Sequence, residues 1–121
     1  RPPGRPVSFE LACAVADIPS DEALAVTIGE YDVAVARHAG DEGEEIYALQ
    51  DLCSHAAVSL SEGEVESCTV ECWLHGSRFD LRTGKPTGLP ATEPVATFPV
   101  ELRDGSVYVD TATTLNGVTP S

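Results

Sequence analysis

Between positions 53 and 76 the chain reads CSHAAVSLSEGEVESCTVECWLHG, a stretch that holds three of its four cysteines and two of its three histidines. Cys53 and His55 are separated by one residue, Cys72 and His75 by two, and sixteen residues lie between His55 and Cys72. Thiolate and imidazole are strong ligands for transition metals. Four of them in two windows require a scaffold that brings two loops to one point. A single tetrahedral zinc would accept such a set, but zinc fingers usually pair like ligands within each half. Here each half supplies one sulfur and one nitrogen.

The rest of the chain reads as short strands. Residues 25–28 and 31–35 are apolar or alternating over strand length, as are residues 46–49, 65–70, 78–81, 95–102 and 107–110. Turn signals recur at residues 29–30, 39–40, 83–84 and 104–105, and the acidic residues 41–45 form another. Only residues 20–24 offer a helical turn, with Ser20 as its cap. This spacing predicts an all-β antiparallel sandwich or small barrel. The windows 53–60 and 74–77 have no strand period and read as loops at one tip of it.

At 121 residues the chain suits one domain. The expected organisation is a single domain over 7–111, with the ligand-bearing region at about 51–92 and loose tails at 1–6 and 112–121. No long apolar run or basic and then apolar leader appears, so no membrane role and a cytoplasmic location are expected. Twenty acidic against seven basic residues leave a formal charge of -13, which repels nucleic acid and anionic lipid and favours a basic protein partner. A chain with this aliphatic content builds a core without disulfides, and the clustering of its cysteines fits metal ligation better.

The mixed pairing, one cysteine and one histidine per loop, resembles the Rieske ferredoxins. The stretches CSH and CWLHGSRFDLRTGKPTGLPA are similar to that family's two ligand loops, the second followed by F-D, T-G and a Gly/Pro loop. The resemblance implies an all-β Rieske fold, an antiparallel sandwich or barrel with two cluster-binding loops at one tip. It also implies one 2Fe-2S cluster, with Cys53 and Cys72 on one iron and His55 and His75 on the other. Around the cluster it places Trp73 as an indole shield, Gly76 where the backbone passes closely, and Pro90 in a capping proline loop. Trp73 is accordingly expected to be buried.

High-potential members carry an extra cysteine in each loop, joined as a disulfide, where this chain has Val58 and Leu74. They also place a serine and a tyrosine after the second histidine to donate hydrogen bonds to cluster sulfurs. This chain has Ser77 and Phe79 there, keeping one of the two donors. A potential in the lower half of the roughly -150 to +300 mV Rieske range is therefore expected, and potentiometry would check it. Cys68 reads as a plain thiol near the cluster, Cys13 as a small buried core residue, and His38 as a surface imidazole.

Rieske oxygenases add a mononuclear iron held by two histidines and a carboxylate, whereas this chain has one spare histidine. It also lacks a dinucleotide-binding fingerprint. The resemblance thus implies a non-catalytic one-electron carrier. Its partners would be a flavoprotein reductase and a terminal oxygenase, met as a monomer. An alternative is a redox helper or sensor working with cluster-assembly proteins. A third reading is a zinc-stabilised binding module, which would be colourless and free of labile sulfide.

Overall fold

The computed structural model describes residues 9–40, 43–53, 58–74, 76–88 and 91–118. Among these residues ten strands follow one another: β1 (Phe9–Ala14), β2 (Glu22–Ile28), β3 (Tyr31–Gly40), β4 (Gly43–Gln50), β5 (Val65–Glu66), β6 (Thr69–Glu71), β7 (Arg78–Asp80), β8 (Thr97–Phe98), β9 (Val100–Arg103) and β10 (Ser106–Asp110). They form three sheets, ordered β1-β10-β9, β2-β3-β4-β8 and β5-β6-β7. Every pairing is antiparallel. The only helical pieces among the described residues are two single 3-10 turns, Val15–Asp17 and Leu60–Glu62.

Turn chemistry sets much of this register. Gly29, at a φ of +61°, links β2 to β3 with Ile28 opposite Tyr31. Asp104 and Gly105 both take positive φ between β9 and β10, as a two-residue hairpin turn requires. Residues 65–70 are a tight hairpin, not one run: Ser67 and Cys68 take φ of +53° and +59°, and β5 folds back on β6. Pro99, which has no N–H to donate, separates β8 from β9 within residues 95–102. The expected helical turn at 20–24 is instead the entry to β2, where Leu24 pairs with Val35.

Strands β3 and β4 are a wall with both faces covered. Val33, Ala34, Val35 and Ala36 are all fully buried, which explains their unbroken apolar run. Val33, Val35 and Ala48 pack with Ile18, Ala96, Phe98, Val107 and Val109 in a sandwich core. Ala36 and Leu49 face the other way, toward Leu60, Val70, Phe79, Leu81 and the cysteines at 53, 68 and 72. The site therefore stands on the back of the scaffold core. Cys13 is half-buried at the edge of the sandwich core and not inside it, because β1 carries a bulge between Leu11 and Cys13.

The C-terminal segment is tied down as far as residue 118. Leu115 N–H donates to Thr97 O (2.8 Å), and Asn116 Nδ2 donates to Thr83 O (2.9 Å) and Val95 O (2.8 Å). Residues 1–6 and 119–121 lie outside the described residues.

Candidate metal centre

The first ligand loop leaves the end of β4 and is braced on both sides of Cys53. Gln50 is buried, with Nε2 donating to Leu52 O (2.9 Å) and Oε1 accepting from Ala96 N–H (2.9 Å). Asp51 is buried too, and its two carboxylate oxygens accept from the Ser61 N–H (2.7 Å) and the Ser61 hydroxyl (2.8 Å). These bonds tie Asp51 directly to Ser61. Cys53 is 3% exposed, and its N–H donates to Val58 O (2.9 Å). His55 lies outside the described residues.

The second loop runs from β6 to β7. Cys72 is fully buried, its N–H donates to Ser77 O (2.6 Å), and its carbonyl accepts from Gly76 N–H (2.8 Å). Gly76 takes a φ of +78°, which closes this turn at little steric cost. His75 and Pro90 lie outside the described residues.

Trp73 is 48% exposed and Leu74 45%, so the expected burial of Trp73 is not what the structure shows. The reason is local. The short Cys72–Gly76 closure turns Cys72 inward and carries the next two side chains over the outside of the bend. Together they make an apolar ledge at the site's rim.

Ser77 is 1% exposed, and its hydroxyl oxygen accepts from Ala91 N–H (3.0 Å), which binds the second loop to the segment that follows it. The hydroxyl proton stays available as a donor. Phe79 is fully buried in the same apolar cluster as Cys53 and Cys72. Ser77→Ala is expected to cost about 1–3 kcal/mol, because it strands the Ala91 N–H, and to lower the reduction potential. Urea unfolding and potentiometry would read the two effects separately.

Two further residues have surroundings that the sequence did not show. Cys68 is a free thiol as expected, buried at the β5–β6 turn among His38, Glu45 and Arg82, beside Tyr47. Desolvation pushes its thiol up, and desolvation with the bond to Glu45 pushes the Tyr47 hydroxyl up to about 12. His38 is not a free surface imidazole, since its side chain is only 14% exposed and Nδ1 sits 3.3 Å from Asp21 Oδ1. Sequence reasoning also missed Gln50 and Asp51. Two polar residues directly after the apolar run of β4 were the available signal.

A helix-poor antiparallel scaffold that buries two cysteines from separate loops in one apolar cluster, with a buried serine hydroxyl on the second loop, defines a metal–sulfur protein. The donor set fits an iron–sulfur centre, which needs thiolates in an apolar setting with hydrogen-bond donors close by. Residues 8–99 match the model of the Rieske [2Fe-2S] domain, and the chain belongs to that family. The 3-phenylpropionate/cinnamic acid dioxygenase ferredoxin subunit of Shigella flexneri serotype 5b (strain 8401) is 44% identical over 100 residues, 82% of this chain and 90% of that protein. The ferredoxin of carbazole 1,9a-dioxygenase from Nocardioides aromaticivorans IC177 superposes with a TM-score of 0.77 at 32% identity, covering 85% of this chain and 97% of that one. The ferredoxin of a complex of reduced oxygenase and oxidized ferredoxin in carbazole 1,9a-dioxygenase gives a TM-score of 0.75 at 36% identity, covering 85% and 93%. The chain is thus an electron-transfer component with a 2Fe-2S cluster, not a catalytic subunit. No helix among the described residues is long and apolar enough to cross a membrane.

Proposed function

We propose that Cys53 and Cys72 ligate one iron and His55 and His75 the other, and that the chain passes single electrons from a flavoprotein reductase to a terminal oxygenase. The observation that carries this reading is the burial of both cysteines beneath a rim where Trp73 and Leu74 are exposed. When bound, the cluster supplies a one-electron couple whose oxidised form, with two thiolates and two neutral imidazoles, has no net charge and is readily reduced. The chain's own residues do the rest. Gln50, Asp51 and Ser61 hold the first loop, Gly76 and Ser77 hold the second, and Leu60, Phe79 and Leu81 exclude water from beneath them.

The apolar ledge is the docking platform. Aromatic and aliphatic side chains exposed together on a charged surface favour a protein partner, and a small contact of this kind suits a transient encounter by a monomer. The net charge of -13 steers that encounter toward basic faces and away from nucleic acid and anionic membranes, in keeping with a cytoplasmic carrier. The support for an oxygenase partner is a similar ferredoxin's occurrence in complex with its oxygenase. A Trp73→Ala variant tests this. Its rate of electron delivery to a Rieske-type terminal oxygenase, followed by stopped flow at low reactant concentration, should fall about tenfold or more while the potential stays unchanged. An undiminished rate would move the docking surface elsewhere.

A further inference from the structure

A second group of ligating side chains stands apart from the cluster loops. His38 near the end of β3, Glu45 on β4 and Cys68 in the β5–β6 turn bring a ring nitrogen, a carboxylate oxygen and a sulfur within 4.8 Å of one another. They line an open polar pocket together with Arg82. We propose that His38, Glu45 and Cys68 form a binding site for one zinc-class divalent cation, separate from the iron–sulfur centre.

Three features support the assignment. The donor set combines sulfur, nitrogen and oxygen, which suits a borderline ion such as Zn(II) and is unsuited to calcium or magnesium, whose sites are built from oxygen. The turn that delivers the thiol is held in an uncommon conformation: two consecutive residues, neither of them glycine, take positive φ, and Cys68 is one of them. Such conformations cost of order 1 kcal/mol each and persist where the surroundings hold them. The third feature is the imidazole's orientation. Asp21 Oδ1 lies 3.3 Å from His38 Nδ1, a carboxylate–imidazole contact that restrains the ring beside Glu45 and Cys68. Three protein ligands facing an open pocket would leave a fourth position for water.

Glu45 already has polar neighbours. Tyr47 donates its hydroxyl to Oε1 (2.7 Å), and Arg82 Nη2 is 3.6 Å from the same oxygen. The second carboxylate oxygen carries neither contact. Arg82 is the natural competitor of a bound cation, and at 60% side-chain exposure it is able to swing away. As the sulfur–metal bond forms, the Cys68 thiol proton passes to solvent.

The test uses the protein with its iron–sulfur cluster intact, dialysed against zinc chloride and analysed for zinc and iron together, with the visible spectrum confirming that the cluster survives. The site predicts one zinc per chain in addition to the cluster iron, lost in both Cys68→Ser and His38→Gln and tightened in Arg82→Gln. Asp21→Asn should weaken binding by about ten- to a hundredfold. If Cys68→Ser does not fold, His38→Gln carries the test alone. Absence of bound zinc in the unaltered protein, or its retention in a folded His38→Gln variant, would overturn the proposal.

Discussion

Replacing His75 with cysteine is expected to lower the reduction potential by roughly 100 mV or more, toward the approximately -400 mV of all-cysteine clusters. Under the proposed ligand set, the substitution exchanges a neutral ligand for a thiolate on the iron that takes the electron. Adding an electron to a centre already negative in a low-dielectric setting costs more than adding it to a neutral one. His55→Cys should act in the same direction, because it is assigned to the same iron. An EPR-monitored potentiometric titration reads both. A potential unmoved by His75→Cys would take that residue off the redox iron, whatever the cluster's other ligands are.

The largest effect on stability is expected at Gly63. A Cβ built there would lie 1.7 Å from the backbone oxygen of Glu71. The φ of -90° at Gly63 is open to any residue, so the obstacle is contact and not conformation. Neither segment has room to retreat, since Glu71 N–H donates to Glu64 O (2.9 Å) and the next residue is Cys72. Gly63→Ala should therefore cost about 3 kcal/mol and reduce the iron bound per chain, as judged by denaturant unfolding and iron analysis. Gly29→Ala is the contrast. Nothing lies within 4 Å of a Cβ there, and its φ of +61° should cost only about 1 kcal/mol, with the iron content unchanged.

Much of the scaffold was legible because its signals are local. Gly29, Thr83–Gly84 and Asp104–Gly105 mark turns by their own chemistry, and the alternating or apolar runs between them become β2, β3, β4, β7 and β10. The hairpin at Ser67–Cys68 was hidden because neither residue favours positive φ. What holds them there is the surrounding structure, including the bond from Leu81 N–H to Cys68 O (3.0 Å). The C-terminal segment was hidden for a related reason. Asn116 reads as one polar residue in a weakly patterned tail, and its bonds to Thr83 and Val95 exist only once distant strands meet. Of the site, the cysteine pair was readable from spacing and Ser77 from the resemblance. The outward turn of Trp73 follows from the backbone closure between Cys72 and Gly76, and the convergence of His38, Glu45 and Cys68 from tertiary geometry; no spacing encodes either.

The double-faced wall of β3 and β4 has a consequence for how fast such a carrier works. Ala36 and Leu49 support the cysteine side of the fold, while Val33, Val35 and Ala48 hold the opposite core closed. A shift beneath the cysteines would have to open close-packed interior on the far side as well, and dense packing resists that. The surroundings of the cysteines are therefore expected to change shape little when an electron arrives or leaves. Structural rearrangement adds to the activation barrier of every transfer, so this shared partition keeps the barrier low for both the donor's encounter and the acceptor's.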